Sequence, residues 1–130
     1  MKKSLGLVAL WASLLSAGHL YGAAACSEES AASQGDVLTV RGEIVDMTCF
    51  MGHEGHGKDH RECTQACLMG GAPAGLLTEH GSVYLLLEDY TDKEPYAALR
   101  TMGGFMVKVK GKVFKRGDVL SLIVSKVEKV

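Results

Sequence analysis

The chain has 130 residues, with 14 Lys and Arg against 15 Asp and Glu, a net charge of -1 and a hydrophobic fraction of 47%. This length holds one domain. All 15 acidic residues and 12 of the 14 basic ones fall from Cys26 onward, a net charge of -3 that argues against a dedicated nucleic-acid binder, which would carry a basic surface.

The N-terminus reads as a delivery signal. Met1-Lys2-Lys3 is basic, Ser4 to Leu20 is an apolar run, and Ala23-Ala24-Ala25 offers a small-residue cleavage region. The run is slightly short for a membrane span and no basic stop-transfer cluster follows it. Residues 1–25 are therefore expected to be a signal peptide, which places the mature chain in the periplasm or cell envelope. Small residues ending in Cys26 resemble the lipobox of bacterial lipoproteins, although Ala23 stands where that motif prefers Leu. Cys26 is the expected lipidation site and the expected link to a membrane. Ordinary cleavage near Ala23–Ala25, leaving Cys26 as a thiol, is the alternative. Polar residues 26–36 then form a flexible tether.

Residues 37–130 are expected to form a single domain. Val37 to Met47 alternates around Leu38, Val40 and Ile44 and predicts a first strand, with Gly42 as a bulge. Cys49 to Lys58 contains three glycines and no apolar period, which predicts a loop. Asp59 and Glu62 form a D-x-x-E capping pair ahead of a helix over His60 to Met69, ended by Gly70-Gly71. Gly75–Thr78 and Ser82–Leu87 flank Glu79-His80-Gly81 as a hairpin, with His80 exposed at its tip. Thr91 to Glu94 is a second capping box, Pro95 fits a first helical turn, and the helix is expected to run to about Met102. Phe105, Val107, Val109 and Val113 alternate with Lys108, Lys110 and Lys112. A turn at Arg116-Gly117-Asp118 leads to a last strand over Val119 to Val127.

Five strands with a helix between the third and fourth match the connectivity of an OB-like β-barrel. The fold class is thus mainly β, with a short Cys/His-rich loop-helix insert at residues 48–71 between strands one and two. Another small antiparallel α+β domain is the alternative. The Lys108, Lys110, Lys112, Lys115 and Arg116 stripe is read as a solvated face rather than a nucleic-acid surface, because only Phe114 lies within it to stack on a base.

The insert carries the chemistry. Asp46 to Cys67 holds three of the four cysteines and three of the five histidines. On a helix, His60, Cys63 and Cys67 fall within a stripe of about 60°. The glycine-rich loop can fold Cys49, His53 or His56 back toward it. Zn(II) takes thiolate and imidazole ligands tetrahedrally, and Cu(I) favours thiolate, with Met51 or Met69 within reach as a further donor. The ligand set read from the sequence is Cys49, His56, His60, Cys63 and Cys67, with His53 a further candidate. Asp46 either orients a ligand histidine or ends strand one. With Cys26 lipidated, three thiols remain and cannot all pair. An odd count in an oxidising compartment points to a metal or a reactive thiol. The alternatives are a non-catalytic interaction module stapled by a disulfide, and a thiol-disulfide partner using Cys63 and Cys67.

G-E-I-V-D-x-x-C at Gly42–Cys49, G-H-G-x-x-H-x-x-C-x-x-x-C at Gly55–Cys67, G-x-P-x-G-L-L at Gly71–Leu77 and V-Y-L-L at Val83–Leu86 resemble a family of small exported bacterial proteins, mostly uncharacterised. The resemblance covers most of the mature domain. It implies that the insert is the defining site, and it implies no activity. No Ser-His-Asp order, paired catalytic carboxylates or phosphate-cradling glycine loop occurs in the sequence. The expectation is therefore a non-enzymatic protein of the envelope that binds a Zn or Cu ion for sequestration, delivery or sensing. Its expected partners are the metal, an envelope protein and, through the lipid, a membrane.

Overall fold

A computed structural model describes residues 35–130. The expected signal peptide, the expected lipidation site Cys26 and the expected tether up to residue 34 lie outside the described residues. Five strands, β1 (Val37–Asp46), β2 (Ala74–Leu77), β3 (Val83–Leu87), β4 (Met106–Arg116) and β5 (Val119–Lys129), close into a barrel in the order β1-β2-β3-β5-β4. β3 and β5 are parallel and the remaining neighbours antiparallel. This is the OB-like arrangement that the element order predicts. Gly35 and Asp36 already belong to it: the Gly35 amide donates to the Val113 carbonyl, and the Val113 amide donates to that of Asp36.

Closure depends on β1 serving two neighbours. Its first part, Val37 to Glu43, pairs with β4, and its last part, Glu43 to Asp46, pairs with β2. Gly42 sits at the changeover, where a Cβ would lie 2.5 Å from the Leu77 carbonyl oxygen. Its smallness lets two backbones approach. It is not a bulge, because the pairing runs through Gly42↔Val107 without a break. The register shift lies between Lys110 and Gly111, opposite which Ser125 is the extra residue of β5. The Ser125 hydroxyl donates to the Lys110 carbonyl at 3.0 Å.

Alternation fills the barrel. Val107, Val109 and Val113 point inward from β4 while Lys108, Lys110 and Lys112 stay exposed. They meet Ile44, Leu76, Leu86, Leu122 and Val124 from the other strands. Helix α3 (Glu94–Arg100), with Pro95 in its first turn, contributes Leu99 to the same core. It ends earlier than expected, at Thr101, and Asp92 rather than a side chain at the cap position itself accepts the Glu94 amide. At the hairpin, Gly81 takes a positive φ of 84°, and His80 is exposed.

The insert holds two helices rather than one. Met47–His53 forms α1, although Met47 is expected to end the first strand and Cys49 onward to be loop, and Arg61–Met69 forms α2. The Asp46 carboxylate caps α1 by accepting the Thr48 amide, and Glu54 closes it in the left-handed conformation with φ 55°. α2 starts one residue later than expected. Lys58–His60 is a turn of 3-10 helix after Gly57, and no side chain caps α2, so the Asp59 capping pair does not form. The Glu43 carboxylate instead accepts the Gly57 amide and anchors this turn to β1.

Candidate metal centre

Four contacts bolt α2 to the barrel and fix where its cysteines point. Leu68 is buried in the barrel core. Arg61 Nε donates to the Gly104 carbonyl at 3.1 Å and Gln65 Nε2 to that of Gly103 at 3.2 Å. The Arg100 guanidinium reaches back from α3 to the Leu68 carbonyl, its Nε at 2.7 Å. With Thr64 and Leu68 on its buried side, α2 presents Cys63 and Cys67, one turn apart, on another. Opposite stands α1, fixed through the Asp46 cap and a hydrogen bond from the Met47 amide to the Pro73 carbonyl. It presents Cys49 and His53, also one turn apart. Two short helices thus set one i, i+4 donor pair against another.

The result is two donor sets that share a residue. The sulfur atoms of Cys49, Cys63 and Cys67 all lie within 4.8 Å of one another, and all three are free thiols. Ligand atoms of Cys49, His53 and His60 meet the same limit. Any three atoms so spaced have a common point within about 2.8 Å of each, so a tightening of about 0.5 Å would reach the Zn–S distance of about 2.3 Å. The His53 and His60 rings lie 5.5 Å apart between centroids. Gly55 is buried against the His60 ring, and a Cβ there would meet Nε2 at 2.7 Å. The absence of a side chain at Gly55 is what lets the loop hold that imidazole in place.

The sequence reading is met in part. Cys49, Cys63 and Cys67 come together as expected. His60 does not complete a tetrahedron with them but joins Cys49 and His53. His56 is drawn elsewhere: its Nδ1 lies 3.8 Å from a Glu43 carboxylate oxygen, and its ring packs edge-on to Phe50. The reason is the Gly57–Glu43 anchor, which pins the neighbouring backbone to β1 beside the carboxylate that His56 meets. Met51 and Met69 are largely exposed.

Asp46 takes a third role, neither turn residue nor histidine partner. One oxygen caps α1. The other, Oδ2, is buried and meets no N–H or O–H donor. What faces the carboxylate is sulfur. Burial raises the Asp46 pKa, but the Cys49 thiol, the Thr48 amide and the Cys67 thiol leaning on it outweigh burial and hold it below the usual range. The thiols feel the converse. The Asp46 carboxylate, then burial, push Cys49 up to about 12, and the same two causes raise Cys67. Without metal, these two thiols are held protonated at neutral pH, and a bound cation would have to displace their protons. Asp46→Asn keeps a good helix cap but removes the charge. It should speed alkylation of Cys49 by iodoacetamide at pH 8 at least about ten-fold, since the thiolate is the nucleophile. Peptide mapping of the modified chain measures this, and an unchanged rate would show that the carboxylate does not control the thiol.

No family model, curated protein or solved structure matches the chain. The functional reading therefore rests on the geometry of the centre. No helix among the described residues is long and apolar enough to cross a membrane.

Proposed function

We propose that this chain binds a soft transition metal ion, Zn(II) or Cu(I), at the Cys/His centre. In this reading it is an exported, lipid-anchored protein of the cell envelope that sequesters, delivers or senses the ion. One observation carries the proposal: three free cysteines from two separate helices converge within 4.8 Å. Thiolates are the donors that soft ions select. A barrel of this size does not need the insert's helices for its core beyond Leu68, and α1 buries no residue at all. A segment that contributes so little packing yet holds its cysteines this close fits a site better than a structural appendage. Lipidation of Cys26, export and membership of the exported family are supported by the sequence motifs.

The test is native and denaturing mass spectrometry on the full chain, produced in its own envelope compartment without added chelator. The expected result is bound metal that is lost on denaturation, leaving Cys49, Cys63 and Cys67 reduced. A metal-free chain lighter by two hydrogens would overturn it in favour of a disulfide-stapled module or a thiol-disulfide partner. The mass of the N-terminal peptide reports lipidation of Cys26 in the same experiment.

A further inference from the structure

The two donor sets intersect at Cys49, and this places a constraint on stoichiometry that a single four-coordinate ion does not satisfy. A tetrahedral Cys3His centre needs one histidine within ligand range of all three sulfurs. The close sets are instead Cys49, Cys63, Cys67 and, separately, Cys49, His53, His60. Five donors with one counted twice make two three-coordinate sites. Three-coordination is a normal state for Cu(I), which has a filled d shell and accepts trigonal thiolate and imidazole surroundings. Zn(II) at either triad would need a further ligand to reach four. Sulfur has lone pairs enough to bridge two ions, and Cys49 is the donor the fold puts between the two sets.

Resting on the metal-binding reading above, we propose that the centre holds two Cu(I) ions bridged by the Cys49 thiolate, one completed by Cys63 and Cys67 and the other by His53 and His60. The two ions differ in character. The first sits among three thiolates, the softest set available, and should fill first. The second has one shared thiolate and two imidazoles, of which His53 is exposed. It is the more weakly held, while each set offers one exposed donor to an incoming acceptor, Cys63 in the first and His53 in the second. A thiolate bridge bends at sulfur, so two ions each about 2.3 Å from the shared sulfur lie about 3 Å apart, close enough to see each other by X-ray absorption.

The experiment is an anaerobic titration of the full chain with Cu(I) alone, followed by native mass spectrometry and copper-edge X-ray absorption. Two ions per chain with a copper–copper scattering distance are expected. His53→Ala should lower the count to one and erase that distance, as should Cys63→Ser by weakening the other half. Far-UV circular dichroism of each variant checks that the helices persist. Saturation at one ion in the unaltered chain would overturn the bridged pair while leaving the metal-binding reading intact. Two ions without a copper–copper vector would overturn the bridge. No bound copper at all would overturn the bridged pair and the Cu(I) form of the metal-binding reading, leaving Zn(II) to be decided by the mass measurement on the chain from its own compartment.

Discussion

Cys49→Ser should weaken soft-metal binding by at least about 1,000-fold, or roughly 4 kcal/mol. It should be the costliest single ligand change in the chain. The reason is position. Cys63 and Cys67 serve one donor set and His53 and His60 the other, whereas Cys49 belongs to both. Serine is nearly isosteric, but its hydroxyl is a hard donor and a poor ligand for Cu(I) or Zn(II) at neutral pH. The substitution should leave the fold alone. Cys49 lies in α1, which buries no residue, the Asp46 cap is made to the Thr48 amide, and a serine hydroxyl can take the place of the thiol that leans on the Asp46 carboxylate. The melting temperature of the metal-free variant should therefore stay within a few degrees of the unaltered protein. Competition against a chromogenic chelator measures the affinity. A loss of less than ten-fold would mean that the two sets do not depend on a common sulfur.

The barrel was legible because its strands are half-buried and say so. Val107, Val109 and Val113 against Lys108, Lys110 and Lys112 is a period-2 pattern with one interpretation. The hairpin at Glu79 to Gly81 and Pro95 at the start of α3 are punctuation of the same plain kind. What failed did so for lack of a burial signal. α1 has no buried face, so no apolar period marks it, and its one cue was Asp46 standing before a capped turn. Missing α1 had a consequence for the site. His53 is one helical turn from Cys49 and so joins it, a relation invisible once residues 49–58 are taken as loop. His56 looked equivalent by spacing but is claimed by Glu43, a residue of β1 that lies 13 positions away in sequence. Which glycine meets a neighbouring strand depends on pairing too, and this is why Gly42 was read as a bulge when the irregularity lies at Gly111.

The second large effect belongs to the joint between barrel and insert. Leu68 is the point at which α2 enters the core, fully buried among strand residues and held by the Arg100 guanidinium on its own carbonyl. Leu68→Ala removes apolar volume that the barrel walls cannot close over, and such changes cost about 3–5 kcal/mol. For the roughly 95 described residues the whole folding free energy is of order 5–14 kcal/mol, so the variant should lose at least about a fifth of it. Leu38→Ala, at a partly exposed position of β1, should cost under about 1 kcal/mol and serves as the control. Chemical denaturation of metal-free protein gives both values. The functional consequence follows from geometry. A loosened α2 no longer holds Cys63 and Cys67 in register with Cys49, so the metal must spend binding energy on rebuilding the site, and its affinity should fall along with stability. Saturating metal should in turn recover part of the lost stability, about 2.7 kcal/mol at a hundred-fold excess over Kd. If Leu68→Ala proved as mild as Leu38→Ala, the insert would not be packed into the core and the cysteine triad would lack the rigid support on which its metal affinity is argued. If instead stability fell and metal affinity did not, the two helices would hold their donors independently of the barrel.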